Sequence, residues 1–292
     1  MATSPSHKFG QDLGNLLEDV VLNRILKPRL QAFARAKNYY LDWQKDRPAR
    51  SGKKVCWEDK YGNKHDLDFV IEVGGTDQEI GRPVAFIEAV WRRYTKHSKN
   101  KAQEIQGALL PIIEMHHLSA PFFGVVLAGE FTEPALAQLR NNRFSVIYIR
   151  YQDVVAAFAA VGFNIAFDEN TRDAKYAAAT RKLASLTKKD KDIIQHALTT
   201  ISKVETDTFM TTLQAALERL ITRITILPLF GTRLEFGAVK EALAKLGEID
   251  LKTPAGHFDK FEVIIDYNNG DTIRASFKNK TGLSDFLNML DS

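Results

Sequence analysis

Val84-Ala85-Phe86-Ile87-Glu88-Ala89-Val90-Trp91 is an apolar run interrupted by a single carboxylate. A run of this length and composition reads as a buried strand. Burying a carboxylate there is costly unless it has a partner such as a cation. Upstream, Leu67-Asp68-Phe69-Val70-Ile71-Glu72-Val73 reads as a second strand. Strand side chains alternate, so Asp68, Val70 and Glu72 share one face, and Phe69, Ile71 and Val73 share the other. Glu72 and the nearby Asp66 read as residues of a solvated edge. If the two strands pair, Asp68 and Glu88 approach a common point and can share a divalent ion.

Working outward, Lys54 to Asp59 alternates and Tyr61-Gly62-Asn63-Lys64 supplies a turn, so a hairpin leads into the Asp68 strand. Beyond Glu88, Lys99 to His116 reads as a helix with Ala102, Ile105, Leu109 and Ile112 facing inward. Phe122 to Leu127 and Phe144 to Ile149 read as strands, separated by a helix from Glu133 to Arg140 and followed by one from Gln152 to Ala160. Ahead of the hairpin, about Gln11 to Gln44 reads as a helix that Pro28 ends or kinks. This order predicts an α/β fold: an antiparallel meander, then strands joined by helical crossovers, giving a mixed sheet with helices on both faces. The character changes near Asp168. Ile193 to Ile224 reads as helical, interrupted near Glu205-Thr206-Asp207, and Phe236 to Leu246 also reads as helical. Phe261 to Tyr267 and Thr272 to Phe277 flank Asn268-Asn269-Gly270-Asp271, a strong hairpin signal, and Leu283 to Leu290 is helical. We therefore expect one domain over residues 1–168 and, over 169–292, a helical linker with a smaller α+β unit for target reading or dimerisation.

The bulk properties set bounds. The chain has 292 residues, 45% of them hydrophobic, enough for one large domain or two modest ones. No apolar run is long enough to span a bilayer, and the first residues lack the pattern of a signal peptide, so a cytoplasmic protein without a membrane partner is expected. The single cysteine, Cys56, excludes an intrachain disulfide and any cysteine-cluster metal site. Lying between Val55 and Trp57, it reads as a buried, inert thiol. No phosphate-loop, dinucleotide or Gly-x-Ser-x-Gly pattern is present, so no nucleotide cofactor is expected. His116-His117 lacks the further ligands of a zinc site.

The formal net charge is only +4, but its distribution is uneven. Arg92, Arg93, Lys96, Lys99 and Lys101 form a basic run without an acid, and a second basic stretch runs from Lys45 to Lys54 through Arg47 and Arg50. Between them lie Asp66, Asp68, Glu72, Asp77, Glu79 and Glu88. Acid that can hold a cation, flanked by base that can hold a polyanion, is what a metal-dependent phosphodiesterase needs.

Asp68-Phe69-Val70-Ile71, a gap of about twenty residues and then Ile87-Glu88-Ala89-Val90 resembles the PD-(D/E)XK nuclease superfamily, whose fold is restriction-endonuclease-like. The element order agrees from roughly Gly14 to Ile149. The resemblance implies an endonuclease that hydrolyses DNA with Mg2+, or Mn2+ in its place, of the restriction or other defence type. It implies metal ligands at Asp68, Glu88 and the main chain of Ala89, with Glu18 as the additional acid of the first helix. Leu67 replaces the motif proline, and Val90 stands where the motif lysine belongs. Lys101 on the following helix, or else Lys96, would then supply the missing cation. Arg92, Arg93, Lys96, Lys99 and Gln103 would contact DNA, and such enzymes often pair as homodimers. Val90 also keeps open a catalytically inert module that binds nucleic acid or acts in assembly. A further alternative is a repair or transposition nuclease that needs a partner.

Overall fold

The computed structural model describes residues 4–92, 98–168, 170–231, 243 and 256–291, and for residues 92 and 98–100 the backbone only. It divides into two compact units. The first comprises residues 1–116 and 121–217, and the second comprises 117–120 and 218–292.

The first unit opens with α1 (Pro5–Leu17), started by the Ser4 side chain, which accepts from the His7 N–H, and by Pro5 in the first turn. The rod continues through a π-helical stretch, Glu18–Leu26, into α2 (Lys27–Ala36). Pro28 lies in the first turn of α2, where its missing N–H costs least. Thus the proline marks a change of winding and the rod does not end there. It ends at Asn38, in the left-handed region at φ 55°.

The chain then forms β1 (Tyr40–Trp43), a strand where the sequence pattern predicts the continuation of the helix. β1 pairs antiparallel with β4 (Phe69–Val73), β4 antiparallel with β5 (Arg82–Arg92), and β5 parallel with β6 (Phe122–Gly129) and β6 with β7 (Ser145–Arg150). The result is a five-stranded mixed sheet in the order β1-β4-β5-β6-β7. The expected hairpin, β2 (Val55–Glu58) and β3 (Lys64–Leu67), forms a separate two-stranded ribbon and does not belong to the sheet. Cys56 lies on the outer side of that ribbon and is exposed, because alternation turns Val55 inward in its place. The expected buried thiol is therefore corrected.

Both faces of the sheet are covered by helices. On one face Phe69, Ile71 and Ile87 join a core with α1, the π-helical stretch and α5 (Tyr151–Ala159). The other face, carrying Val70, Phe86 and Val90, packs under α3 (Ser98–Met115) and α4 (Glu133–Asn141). Three further helices, α6 (Asp173–Ala184), α7 (Lys188–Ile201) and α8 (Lys203–Leu217), belong to the first core through Tyr176, Leu183, Ile194, Leu198, Phe209 and Leu213. The division of the chain therefore falls at 217/218 and not at 168/169. Gly124 in β6 shows how closely α8 is seated: a Cβ there would stand 2.4 Å from the buried Phe209 ring. Gly124→Ala should cost about 1–3 kcal/mol by overpacking, read as a fall in denaturant midpoint at unchanged slope. An unaltered midpoint would mean that α8 is not held there.

A buried ionic network fixes the 44–52 loop. Asp42 is 1% exposed, Arg47 2% and Glu72 0%. Arg47 donates to both oxygens of Glu72 at 2.7 and 2.9 Å, to Asp42 at 2.8 Å and to the carbonyls of Thr76 and Glu79 at 3.0 and 2.7 Å. Arg50 completes Asp42 with bonds of 3.0 and 3.2 Å. The expected solvated-edge role of Glu72 is thus overturned. A β-bulge between Ile71 and Glu72 accompanies its burial. Arg47 and Arg50 are neutralised internally, so this part of the second basic stretch offers no free charge to a polyanion.

The second unit is a three-stranded antiparallel sheet, β10-β9-β8, formed by β8 (Ile221–Phe230), β9 (Phe258–Tyr267) and β10 (Thr272–Phe277). Its core joins Val263, Ile265 and Ile273 to Leu283 and Phe286 of the C-terminal helix Lys280–Asp291. The Asn-Gly hairpin and the last helix agree with expectation. β8 replaces the end of the helix read through Ile224, and the helix expected from Phe236 to Leu246 lies outside the described residues apart from Leu243. Among the described residues no helix is long and apolar enough to cross a membrane.

Candidate functional site

The β4–β5 register pairs Phe69 with Ile87 and Val70 with Phe86, which puts Asp68, at the bend before β4, opposite Glu88. Two main-chain bonds lock the pair. The Ala89 N–H donates to Asp68 Oδ2 at 2.7 Å, and the Asp68 N–H donates to the Glu88 carboxylate. Glu88 Oε2 is buried and, among the described residues, has no hydrogen-bond partner. An acceptor left unsatisfied in this way is costly. A hard cation held between the two carboxylates would satisfy it, so the donor set fits magnesium or manganese, which take oxygen ligands and keep several waters.

The electrostatics agree with the geometry. Burial, reinforced by the Asp68 charge and opposed by Lys101, pushes the Glu88 carboxyl up to about 8. Burial also pushes the Asp68 carboxyl up to about 6; the Ala89 N–H opposes this and the Glu18 charge adds to it. Both groups thus hold a proton more tightly folded than unfolded. Without metal, their ionisation destabilises the fold, so stability falls as pH rises from the ordinary carboxylate range through about 8. A divalent cation should reverse the trend. In thermal melts, magnesium should stabilise the protein more at pH 8.5 than at pH 5, relative to EDTA. Asp68→Asn/Glu88→Gln should remove both the slope and the metal effect. A metal effect that is equal at the two pH values would contradict this account.

The remaining expected residues distribute as follows. Glu18 begins the π-helical stretch and lines a cavity of about 730 Å³ together with Asp68 and Ala89. Among the described residues, however, no three His, Cys, Asp or Glu side chains group closely enough to hold an ion. Glu18 therefore stands beside the pair and does not complete a three-acid cluster with it. Val90, on the same strand face as Glu88, is buried in the apolar core beneath α3. Lys101, in the first turn of α3, is near enough to bias Glu88 and is held by Glu104 at 2.8 Å. Gln103 is exposed on α3. Arg93 and Lys96 lie outside the described residues, as do the side chains of Arg92 and Lys99. Glu104, Gln11, Asn15 and Trp91 also line the cavity, and the sequence reading gave them no part in the site. For Gln11 and Asn15 a signal was available: with Glu18 they follow a helical repeat on the polar side of α1.

No family model matches this sequence, and no characterised protein matches it. A solved structure of a protein of unknown function, AF1548, aligns with 67% of this chain and 99% of its own, at 10% identity and a TM-score of 0.28. A likeness that low carries no inference.

Proposed function

We propose that this chain is a metal-dependent nuclease of the restriction-endonuclease-like PD-(D/E)XK type that hydrolyses DNA phosphodiester bonds. The observation that carries the reading is the locked Asp68–Glu88 pair with its buried Glu88 oxygen, which has no hydrogen-bond partner among the described residues. In this reading Asp68, Glu88 and the main chain around Ala89 hold Mg2+, or Mn2+ in its place. When bound, the ion supplies Lewis-acid polarisation of the phosphate and a stronger water nucleophile. Asp68 and Glu88 fix its position on a rigid strand pair. Lys101 takes the place of the lysine that Val90 displaces: its charge acts on Glu88 from α3, and it would orient water or neutralise phosphate charge. The basic run from Arg92 to Lys101 supplies the DNA contact, and pairing of two chains would let two sites cut both strands.

Incubation with plasmid and single-stranded phage DNA in magnesium, manganese or EDTA tests this. Metal-dependent cutting is expected, and its absence with every metal would count against it. Lys101→Ala should lower the cleavage rate about a hundredfold, whereas Lys101→Arg, which keeps the charge but cannot give up a proton, should recover only part of it. A Lys101→Ala protein of full activity would remove this lysine from the site. Val90 favours a second reading, a catalytically inert module that binds nucleic acid. Binding without cutting, unaltered in Glu88→Gln, would be its signature.

A further inference from the structure

The cavity beside the carboxylates has a definite chemistry. Gln11 and Asn15 line it from α1 and Glu18 from the start of the π-helical stretch, at the four- and three-residue spacing that makes one stripe of a helix. The opposite stripe, with Phe9 and Leu13, is buried in the core. Gly10 and Gly14 leave this wall open. A Cβ on Gly14 would stand 3.0 Å from Trp91 Cδ1, so glycine lets the half-buried indole lie against the helix and form part of the cavity. Glu18, Asp68 and Glu104 line the space, and among the described residues no lysine or arginine does.

That lining repels a phosphate from the interior and suits a flat, neutral group with both donors and acceptors. Amide side chains offer both and can bond the edge of a base in bidentate fashion. An aromatic ring offers any base a stacking partner. A space of about 730 Å³ is of the size that takes small molecules, and a recess cannot enter the groove of a closed duplex. We propose that this cavity receives one unpaired nucleobase of the substrate strand, set against Trp91 and hydrogen-bonded by Gln11 and Asn15. Its backbone phosphate would then lie at the edge of the cavity, where Asp68 and Ala89 line it and Glu88 stands behind. The preferred substrate is DNA that is single-stranded or can release a base. The phosphate placement rests on the nuclease reading above, whereas the base pocket does not need cleavage to be detected.

The test is binding of a labelled oligothymidylate of about eight nucleotides and of a covalently closed dumbbell duplex, by fluorescence anisotropy in EDTA at low salt. The wild type should bind the single strand about tenfold more tightly, of the order of one base–aromatic stack. Gly10 lines the cavity, and Gly10→Leu, at a helix position where leucine is favoured over glycine, should narrow the space and abolish the preference. Gln11→Ala/Asn15→Ala, which removes the polar contacts without filling the space, should do the same if Gly10→Leu fails to fold. Absence of a preference in the wild type, whether both DNAs bind or neither, overturns the proposal. So does a preference that survives in a folded cavity variant. Magnesium-dependent cutting lost in Asp68→Asn decides the nuclease reading separately. Cutting with no dependence on the cavity leaves the nuclease and removes the base pocket. A cavity-dependent preference with no cutting does the reverse.

Discussion

Glu88→Gln should fold as well as the wild type or better and lose metal-dependent cleavage by about 10²–10³-fold or more, the scale seen when one preorganised charge-stabilising group is removed. Asp68→Asn should behave alike. Glu88 lies in an apolar strand, its Oε2 lacks a partner among the described residues, and burial resists its ionisation. The amide is nearly isosteric and carries no charge, so the metal-free fold loses the cost of a buried ionised group and exchanges one unsatisfied polar atom for another. A cation bound to the pair would offset that cost, and the amide would not bind it. Cleavage rates and melting temperatures of both variants, measured in magnesium and in EDTA, check the two halves together. Loss of activity with a parallel loss of fold would make Glu88 a packing residue. Full activity would remove it from the site.

The second large effect concerns stability alone. Arg47→Met should cost about 3–5 kcal/mol, because it strands the buried carboxylates of Asp42 and Glu72. For a unit of this size the melting temperature should fall by roughly 10 °C. Arg47→Lys should fail to restore it, since a point charge cannot donate at once to Glu72, Asp42 and the carbonyls of Thr76 and Glu79. Adding Glu72→Gln to Arg47→Met should recover part of the loss, a coupling that a double-mutant cycle reads directly. Additive effects would mean that the network is less tightly joined than its distances imply.

The central strands were legible because composition and burial coincide there. Val84 to Trp91 and Phe122 to Leu127 are apolar on both faces, and helices cover both faces of the sheet. β1 was not legible, because Leu41 extends the helical repeat of the preceding segment. What ends that helix is a backbone feature, the left-handed Asn38, whose type only hints at it. Register was the other hidden quantity. Pattern alone set Asp68, Val70 and Glu72 on one face, but not their partners: Glu72 meets Arg47 of the 44–52 loop, and Asp68 meets Glu88. The same limit explains Arg47 and Arg50. A basic loop reads as solvent-facing until the acids that fold onto it are known. The carboxylate pair itself could be named from sequence, while its locking bonds, the flanking Glu104 and the α1 wall of the cavity required the packing of segments far apart in the chain.

The most direct measurement is calorimetric titration of Mn2+ into the metal-free wild type and into Asp68→Asn/Glu88→Gln at pH 8.5, above the raised titration range of the pair. The wild type should show a binding site whose heat disappears in the double variant while the two circular dichroism spectra superpose. An identical binding isotherm in both proteins would show that the cation is held elsewhere, and Asp68 and Glu88 would then cease to be a metal centre.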